Sequence, residues 1–291
     1  MNESYSEVFK KFKGIVEEHI LDFIPEIDPL SKDLYDVMKY SLTTGGKRIR
    51  PVLVLAACDM FNTPVSFVLP NAIAAEYIHT YSLIHDDLPC MDNDDFRRGN
   101  PTCHKKFGED MAVLAGDALL STAFEALARD MLMYMDDPEL LKRKVRAMYS
   151  LSKGSGVRGM VCGQVADVKS AEQECSEEFL NFINYNKTAA LIRACVLSGG
   201  FLAGMDSSVR EDLTVYGENI GMAFQLADDI SDYKNGQDLD RSTFSVCFGI
   251  DRSVELAEKY ITRARTAIDK YYDHAEIYIY LADLLQDKLN G

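Results

Sequence analysis

The sequence predicts an all-α fold, one large helical bundle, and three observations carry that reading. Apolar residues recur with a helical period: in 212–233, Val215, Ile220, Phe224, Leu226 and Ile230 repeat at two-to-five-residue steps among small and polar partners. That is the pattern of a helix with one buried face. Similar patterns run through 4–23, 51–61, 72–88, 109–132, 138–151, 176–202 and 254–289, whereas strand-like alternation is scarce. The clearest breaks, Gly45-Gly46, Asn62-Thr63-Pro64, Gly99-Asn100-Pro101 and Asn235-Gly236, are all turn chemistry. With 47% hydrophobic residues in 291, the chain buries a large core, and about ten or more helices in one bundle are expected. No Pro-, Gly- or Ser-rich linker, tandem repeat or low-complexity run divides it, so 1–291 reads as one domain.

Composition excludes several functions. The polar N-terminal segment 1–13 has no apolar signal-peptide core and is too acidic for a typical transit peptide. The apolar stretches 111–128 and 188–205 are broken by Asp117, Glu125 and Arg193, which suits buried helices better than membrane spans. Seven scattered cysteines without a Cys-x-x-Cys pair predict free thiols in a reducing cytoplasm. The net charge, 31 − 46 = −15, disfavours nucleic acid and anionic lipid as partners. It leaves room for an anionic substrate if carboxylates recruit metal ions and a few basic residues converge.

Five aspartates crowd the run His85-Asp86-Asp87-Leu88-Pro89-Cys90-Met91-Asp92-Asn93-Asp94-Asp95. Carboxylates at that density repel one another unless cations intervene. Mg²⁺ commonly takes one or two carboxylates plus phosphate oxygens. Asp86 and Asp92, six apart, do not share a face of an uninterrupted helix, but Pro89 can break the helix end and let Asp92 turn back. A solvated acidic loop is the other reading. An EF-hand is excluded, because its glycine and terminal glutamate are missing.

A second acidic run, Phe224-Gln225-Leu226-Ala227-Asp228-Asp229-Ile230-Ser231-Asp232, sets Asp228 and Asp232 four apart on one helix face, one turn beyond Gln225. Like charges at that spacing near a helix C-terminus are mildly destabilising without a counterion. Two such runs in one bundle suggest a clamp of two or three metal ions.

Basic residues complement them. Gly45-Gly46-Lys47-Arg48-Ile49-Arg50-Pro51 gathers three cations at a loop-to-helix junction, where free N–H groups also favour anions. Arg97-Arg98 follows the first acidic run, His79 lies seven residues before Asp86, and Lys187-Thr188 falls inside another helix. Any one alone is an ordinary surface cation. Together they suggest one diphosphate gripped by cations and another by metal ions.

These runs, with Pro101-Thr102-Cys103-His104, Ala115-Gly116-Asp117, Gly163-Gln164 and Gly221–Asp232, make the chain resemble the trans-isoprenyl diphosphate synthases, the polyprenyl synthetase family, from about Gly45 through Tyr233. The resemblance implies an isoprenoid synthase-like bundle with a central cavity, a homodimer, and three Mg²⁺ ions. Asp86 and Asp92 would hold two ions and Asp228 the third, with Asp229 and Asp232 in support. Lys47, Arg50, His79 and Arg98 would bind isopentenyl diphosphate. Arg97, Lys187, Thr188 and Gln225 would contact the allylic diphosphate, and with the three aspartates they form the expected catalytic set. Tyr81 and Ser82, about one turn deeper than Asp86, would set product length. An aromatic residue there resembles the farnesyl type, so farnesyl diphosphate is expected first and geranylgeranyl diphosphate second. A class I terpene cyclase and a non-catalytic partner subunit are the alternatives.

The chain departs from the family after Asp232. The loop is short, Asp240-Arg241 replaces the usual Gly-Lys, and the C-terminus lacks a strongly basic tail. Lys234 is a candidate substitute for that lysine. Gly154-Ser155-Gly156-Val157-Arg158-Gly159 spells the dinucleotide fingerprint, but it follows a helical pattern and not a buried strand, so it reads as a helix junction.

Overall fold

The periodic segments fold as helices. The computed structural model describes residues 3–170, 173, 175–236 and 242–290, those at 3, 4, 272 and 273 by backbone alone. In chain order come α1 (Glu3–His19), α2 (Lys32–Thr43), α3 (Ile49–Phe61), α4 (Val65–Asp86) and α5 (Cys103–Phe107). Then follow α6 (Glu109–Leu132), α7 (Pro138–Ser155), α8 (Met160–Val168), α9 (Glu177–Ile183) and α10 (Ala190–Ala203). The last are α11 (Ser207–Lys234), α12 (Phe244–Phe248), α13 (Ile250–Ile268) and α14 (Glu276–Asn290). Local chemistry marks their starts: Asp137, Ser176 and Asp206 each accept a hydrogen bond from a backbone N–H of the first turn, satisfying a donor the helix cannot.

Two sequence-predicted segments subdivide and a third is part of a longer helix. The 254–289 pattern is α13 and α14, separated by a 3₁₀ segment, Asp269–His274. The 176–202 pattern is α9 and α10, joined by a π-helical turn, Asn184–Ala189. The 72–88 pattern is the second part of α4, which starts at Val65 and stops at Asp86. The Gly154–Gly159 run joins α7 to α8, a helix junction as expected. Strands among the described residues are two-residue pieces, β1 (Phe96–Arg97) and β2 (Asn100–Pro101), paired antiparallel. Arg98 and Gly99 between them both take positive φ, 54° and 77°, as a tight hairpin turn demands.

The core forms around α4, α10 and α11. Helix α4 packs on α3 and α6, α10 on α3, α7 and α11, and α11 on α13. Tyr77, Tyr216 and Tyr278 are fully buried, and each hydroxyl donates to a backbone carbonyl, so their burial strands no polar group. Helix α6 has the length and apolar content of a membrane span. Its Ala112, Ala115, Leu119, Ala123 and Leu127 are nevertheless buried in the bundle.

One expectation is corrected. The cysteines are not all free: Cys175, just before α9, is bridged to Cys247 in α12, their Cα atoms 6.3 Å apart. The partners are 72 residues apart in sequence, so spacing alone could not show the pair. Cys58, Cys90, Cys103, Cys162 and Cys195 remain free thiols.

Candidate active site

A single cavity of about 1250 Å³ collects the residues that the sequence nominates to hold metal, bind the two diphosphates and set product length: Lys47, Arg50, His79, Tyr81, Ser82, Asp86, Asp92, Arg97, Arg98, Lys187, Thr188, Gln225 and Asp228. Its walls come from the α2–α3 loop and α3, from α4 and the turn after it, and from α6, α8, the π-turn and α11. Val113, Met160, Val161, Val165 and Val168 make one side apolar.

The first acidic run folds back on itself. Helix α4 ends at Asp86, three residues before Pro89, and the Asp92 N–H donates to the Asp86 carbonyl at 2.9 Å. Asp86 and Asp92 thus share one rim despite their six-residue spacing. Burial pushes the Asp86 carboxyl up to about 6, opposed by the neighbouring Lys187 ammonium. Asp87 points the other way, 3% exposed, and takes Arg97 at 2.5 Å. Arg97 also reaches Asp94 at 3.1 Å, so its guanidinium is braced before any ligand arrives.

Opposite lies the π-turn. A π-helical turn widens the helix by one residue and re-aims side chains, and here it carries Lys187 and Thr188. Lys187 sits 2.6 Å from Asp167 of α8 and 3.9 Å from Asp86. Burial lowers its pKa, but these two carboxylates outweigh that and leave the ammonium raised. Thr188 Oγ1 donates to Gln225 Oε1 at 2.6 Å, and Gln225 Nε2 donates to Asp229 Oδ1 at 2.9 Å. Burial pushes Asp229 up to about 7. Asp229 therefore belongs to a hydrogen-bonded relay beneath the rim, while Asp228 and Asp232 of α11 line the cavity.

The basic rim is more structured than its sequence suggests. Arg50 Nη1 and His79 Nε2 are 3.2 Å apart. Burial, reinforced by Arg50, Arg98, Arg97 and Arg48, holds the His79 imidazole well below its ordinary pKa. His79 is therefore a neutral hydrogen-bonding group near pH 7, not a cation. Arg98 donates to the Gly45 carbonyl, tying the β-hairpin turn to the glycine loop.

Three contributors were not legible in advance. Asp167 holds Lys187, and its only sequence signal is its place one turn after Gly163. Glu76 pairs with Arg48 at 2.5 Å inside the protein. Lys288 of α14 reaches Asp228 Oδ1 at 2.5 Å, a contribution from a C-terminus that lacks a strongly basic tail. Lys234 is exposed at the end of α11. Asp240 and Arg241, where the family pattern changes, lie outside the described residues.

An acidic rim on α4 and α11 facing a basic rim on α3 and the hairpin, over a deep apolar-walled cavity, defines a helical prenyltransferase. Comparison with known proteins agrees. Residues 31–245 match the Polyprenyl synthetase family model, and the chain belongs to that family. It is 44% identical to "Heterodimeric geranylgeranyl pyrophosphate synthase large subunit 1, chloroplastic" of Arabidopsis thaliana, over 86% of this chain and 70% of that protein. It is 41% identical to "Geranylgeranyl diphosphate synthase" of Cyanophora paradoxa, over 96% and 94%. A solved FPP/GFPP synthase from Zymomonas mobilis superposes with a TM-score of 0.85 at 32% identity, covering 97% of this chain and 100% of that one.

Proposed function

We propose that this enzyme condenses isopentenyl diphosphate with an allylic diphosphate in the presence of Mg²⁺, with geranylgeranyl diphosphate as its main product. The observation that carries the reaction is the opposed acidic and basic rims on one cavity, with room for two diphosphates. The relatives named as geranylgeranyl synthases support the product and outweigh the farnesyl ranking suggested by Tyr81. That residue keeps the farnesyl reading second: it lines the cavity, 8% exposed, with its ring edge-on to His85 at 5.8 Å.

The donor set fits Mg²⁺. Among the described residues, no three carboxylate, imidazole or thiolate groups form a ready-made metal cage. Mg²⁺ sites in which substrate phosphates complete the coordination need only one or two carboxylates. Asp86, Asp92 and Asp228 are the residues that would hold the ions, three by analogy with the family. When bound, Mg²⁺ supplies charge stabilisation to the departing diphosphate.

The side chains do the rest. Lys47, Arg50, Arg98 and the neutral His79 hold isopentenyl diphosphate, and Arg97, Lys187, Thr188 and Gln225 grip the allylic diphosphate. As the allylic C–O bond breaks, its electron pair leaves with the diphosphate, where Arg97 and Lys187 meet the growing charge. The apolar side of the cavity keeps water from the allylic cation. The isopentenyl double bond attacks that cation, and the proton then lost passes to the released diphosphate.

Product sizing after incubation with isopentenyl diphosphate, each allylic starter and Mg²⁺ tests the proposal. A twenty-carbon main product is expected; arrest at fifteen carbons restores the farnesyl reading, and no elongation at all removes the reaction. A cyclised hydrocarbon from farnesyl diphosphate alone would instead favour a cyclase. In the same assay Tyr81→Ala is expected to lengthen the product, since deleting the ring enlarges the cavity that Tyr81 lines. Unchanged lengths would remove Tyr81 as a floor.

Lys288 gives a separate test. Its ammonium stands where a cation is needed at Asp228, so a metal ion must displace it. Lys288→Met is expected to lower, by about two- to fivefold, the Mg²⁺ concentration that half-saturates thermal stabilisation in the presence of inorganic diphosphate, the range set by a partly exposed ion pair. A higher Mg²⁺ requirement would mean that Lys288 assists binding instead of competing.

A further inference from the structure

The mechanism above leaves one buried ion pair without a task. Glu76 of α4 is 1% exposed and Arg48, just before α3, is 4% exposed. Arg48 Nη1 donates to Glu76 Oε1 at 2.5 Å, and Nη2 donates to the Leu42 carbonyl at 2.5 Å. The pair therefore pins the end of α2, the glycine loop and the middle of α4 to one another. Such a pair is weak evidence for stability, because apolar replacements of similar volume are often as stable. Its geometry calls for another explanation.

Arg48 holds a left-handed backbone conformation, φ 55° and ψ 32°, which a non-glycine residue keeps only when its surroundings enforce it. The residues on either side of this turn, Lys47 and Arg50, line the cavity. Glu76 lies one turn before His79, the partner of Arg50. Its second oxygen, Oε2, is buried without a hydrogen-bond partner. Its charge also supports the Arg50 and Arg98 guanidiniums, which burial works against.

We propose that the Arg48–Glu76 pair positions the isopentenyl diphosphate grip: Glu76 fixes Arg48, Arg48 fixes the left-handed turn, and the turn aims Lys47 and Arg50 at the diphosphate. The inference rests on the functional reading above and adds two positioning residues to it.

Steady-state kinetics of Glu76→Gln and of the double variant Arg48→Met/Glu76→Leu test it. Glu76→Gln keeps the shape and removes the charge. The double variant removes both members of the pair, so neither is left buried without the other and the fold is expected to survive. Both are expected to raise KM for isopentenyl diphosphate about tenfold or more, with KM for the allylic substrate within about twofold and kcat within about threefold of wild type. Arg48→Lys, which keeps the charge but loses the two-pronged grip, is expected to recover part of that loss. A lowered melting temperature with both KM values unchanged, or an equal rise in both, would overturn the assignment by making the pair purely structural. Wild-type activity, measured first, keeps the two readings apart. A wild type that elongates no starter removes the function itself and this inference with it, whereas an active wild type with indifferent variants removes the inference alone.

Discussion

Asp86→Asn is expected to lower kcat/KM by about a thousandfold, the scale on which removing one preorganised electrostatic group slows an enzyme. The substitution keeps the side-chain volume and the Asp92 N–H bond to the residue 86 carbonyl, so the turn after α4 survives while a charge is lost from the rim. Burial sets a pH signature for the same group. Burial pushes the Asp86 carboxyl above the ordinary carboxylate range, up to about 6, so it binds its proton more readily folded than unfolded. The metal-free fold therefore loses stability as pH rises from about 4 to 6. Mg²⁺ with inorganic diphosphate needs the carboxylate form, so the stabilisation they confer should grow across pH 5 to 7. Thermal melts with and without Mg²⁺ and diphosphate read both slopes. In Asp86→Asn the growth should flatten; an unchanged slope would assign the titration to another group, and activity within tenfold of wild type would remove Asp86 from the metal set.

The two halves of the site differed in legibility for physical reasons. The acidic rims depend on local rules. Asp228 and Asp232 share a face because four residues are about one helical turn, and Asp92 returns to Asp86 because the helix stops ahead of Pro89. Both follow from spacing and one helix-breaking residue. Most of the helices were legible for the same reason; α8 and α12 hold too few residues to display a period, and α2, twelve residues long, was not among the predicted segments. What supports the rims is long-range. Asp167 meets Lys187, Glu76 meets Arg48 and Lys288 meets Asp228 across sequence separations of 20, 28 and 60, which no local pattern encodes. The π-turn is a one-residue change of register, invisible to a 3.6-residue period. His79 shows the same limit in electrostatics. Its residue type suggests a cation, but burial among arginines makes it neutral.

The largest structural effect is expected at one glycine. Gly163 of α8 lies so close to the π-turn that a Cβ there would stand 2.0 Å from the Lys187 backbone nitrogen and 2.6 Å from its Cα. Both obstacles are backbone, so no side chain can swing aside, and α8 or the π-turn has to move. Overpacking of this kind costs about 3 kcal/mol, the upper end for a small-to-large change. For a chain of this size that is roughly 5–10 °C in melting temperature. The displacement also carries function, because Asp167, one turn further along α8, holds the Lys187 ammonium at 2.6 Å. Gly163→Ala should therefore raise KM for the allylic diphosphate more than for isopentenyl diphosphate, the opposite of the Glu76→Gln pattern. Gly14→Ala in α1 supplies the control. A Cβ there meets nothing within 4 Å, and alanine is the better helix former by about 1 kcal/mol, so its melting temperature should hold or rise. If Gly163→Ala melts with the wild type and binds both substrates normally, the α8–π-turn contact does not set the allylic side of the site.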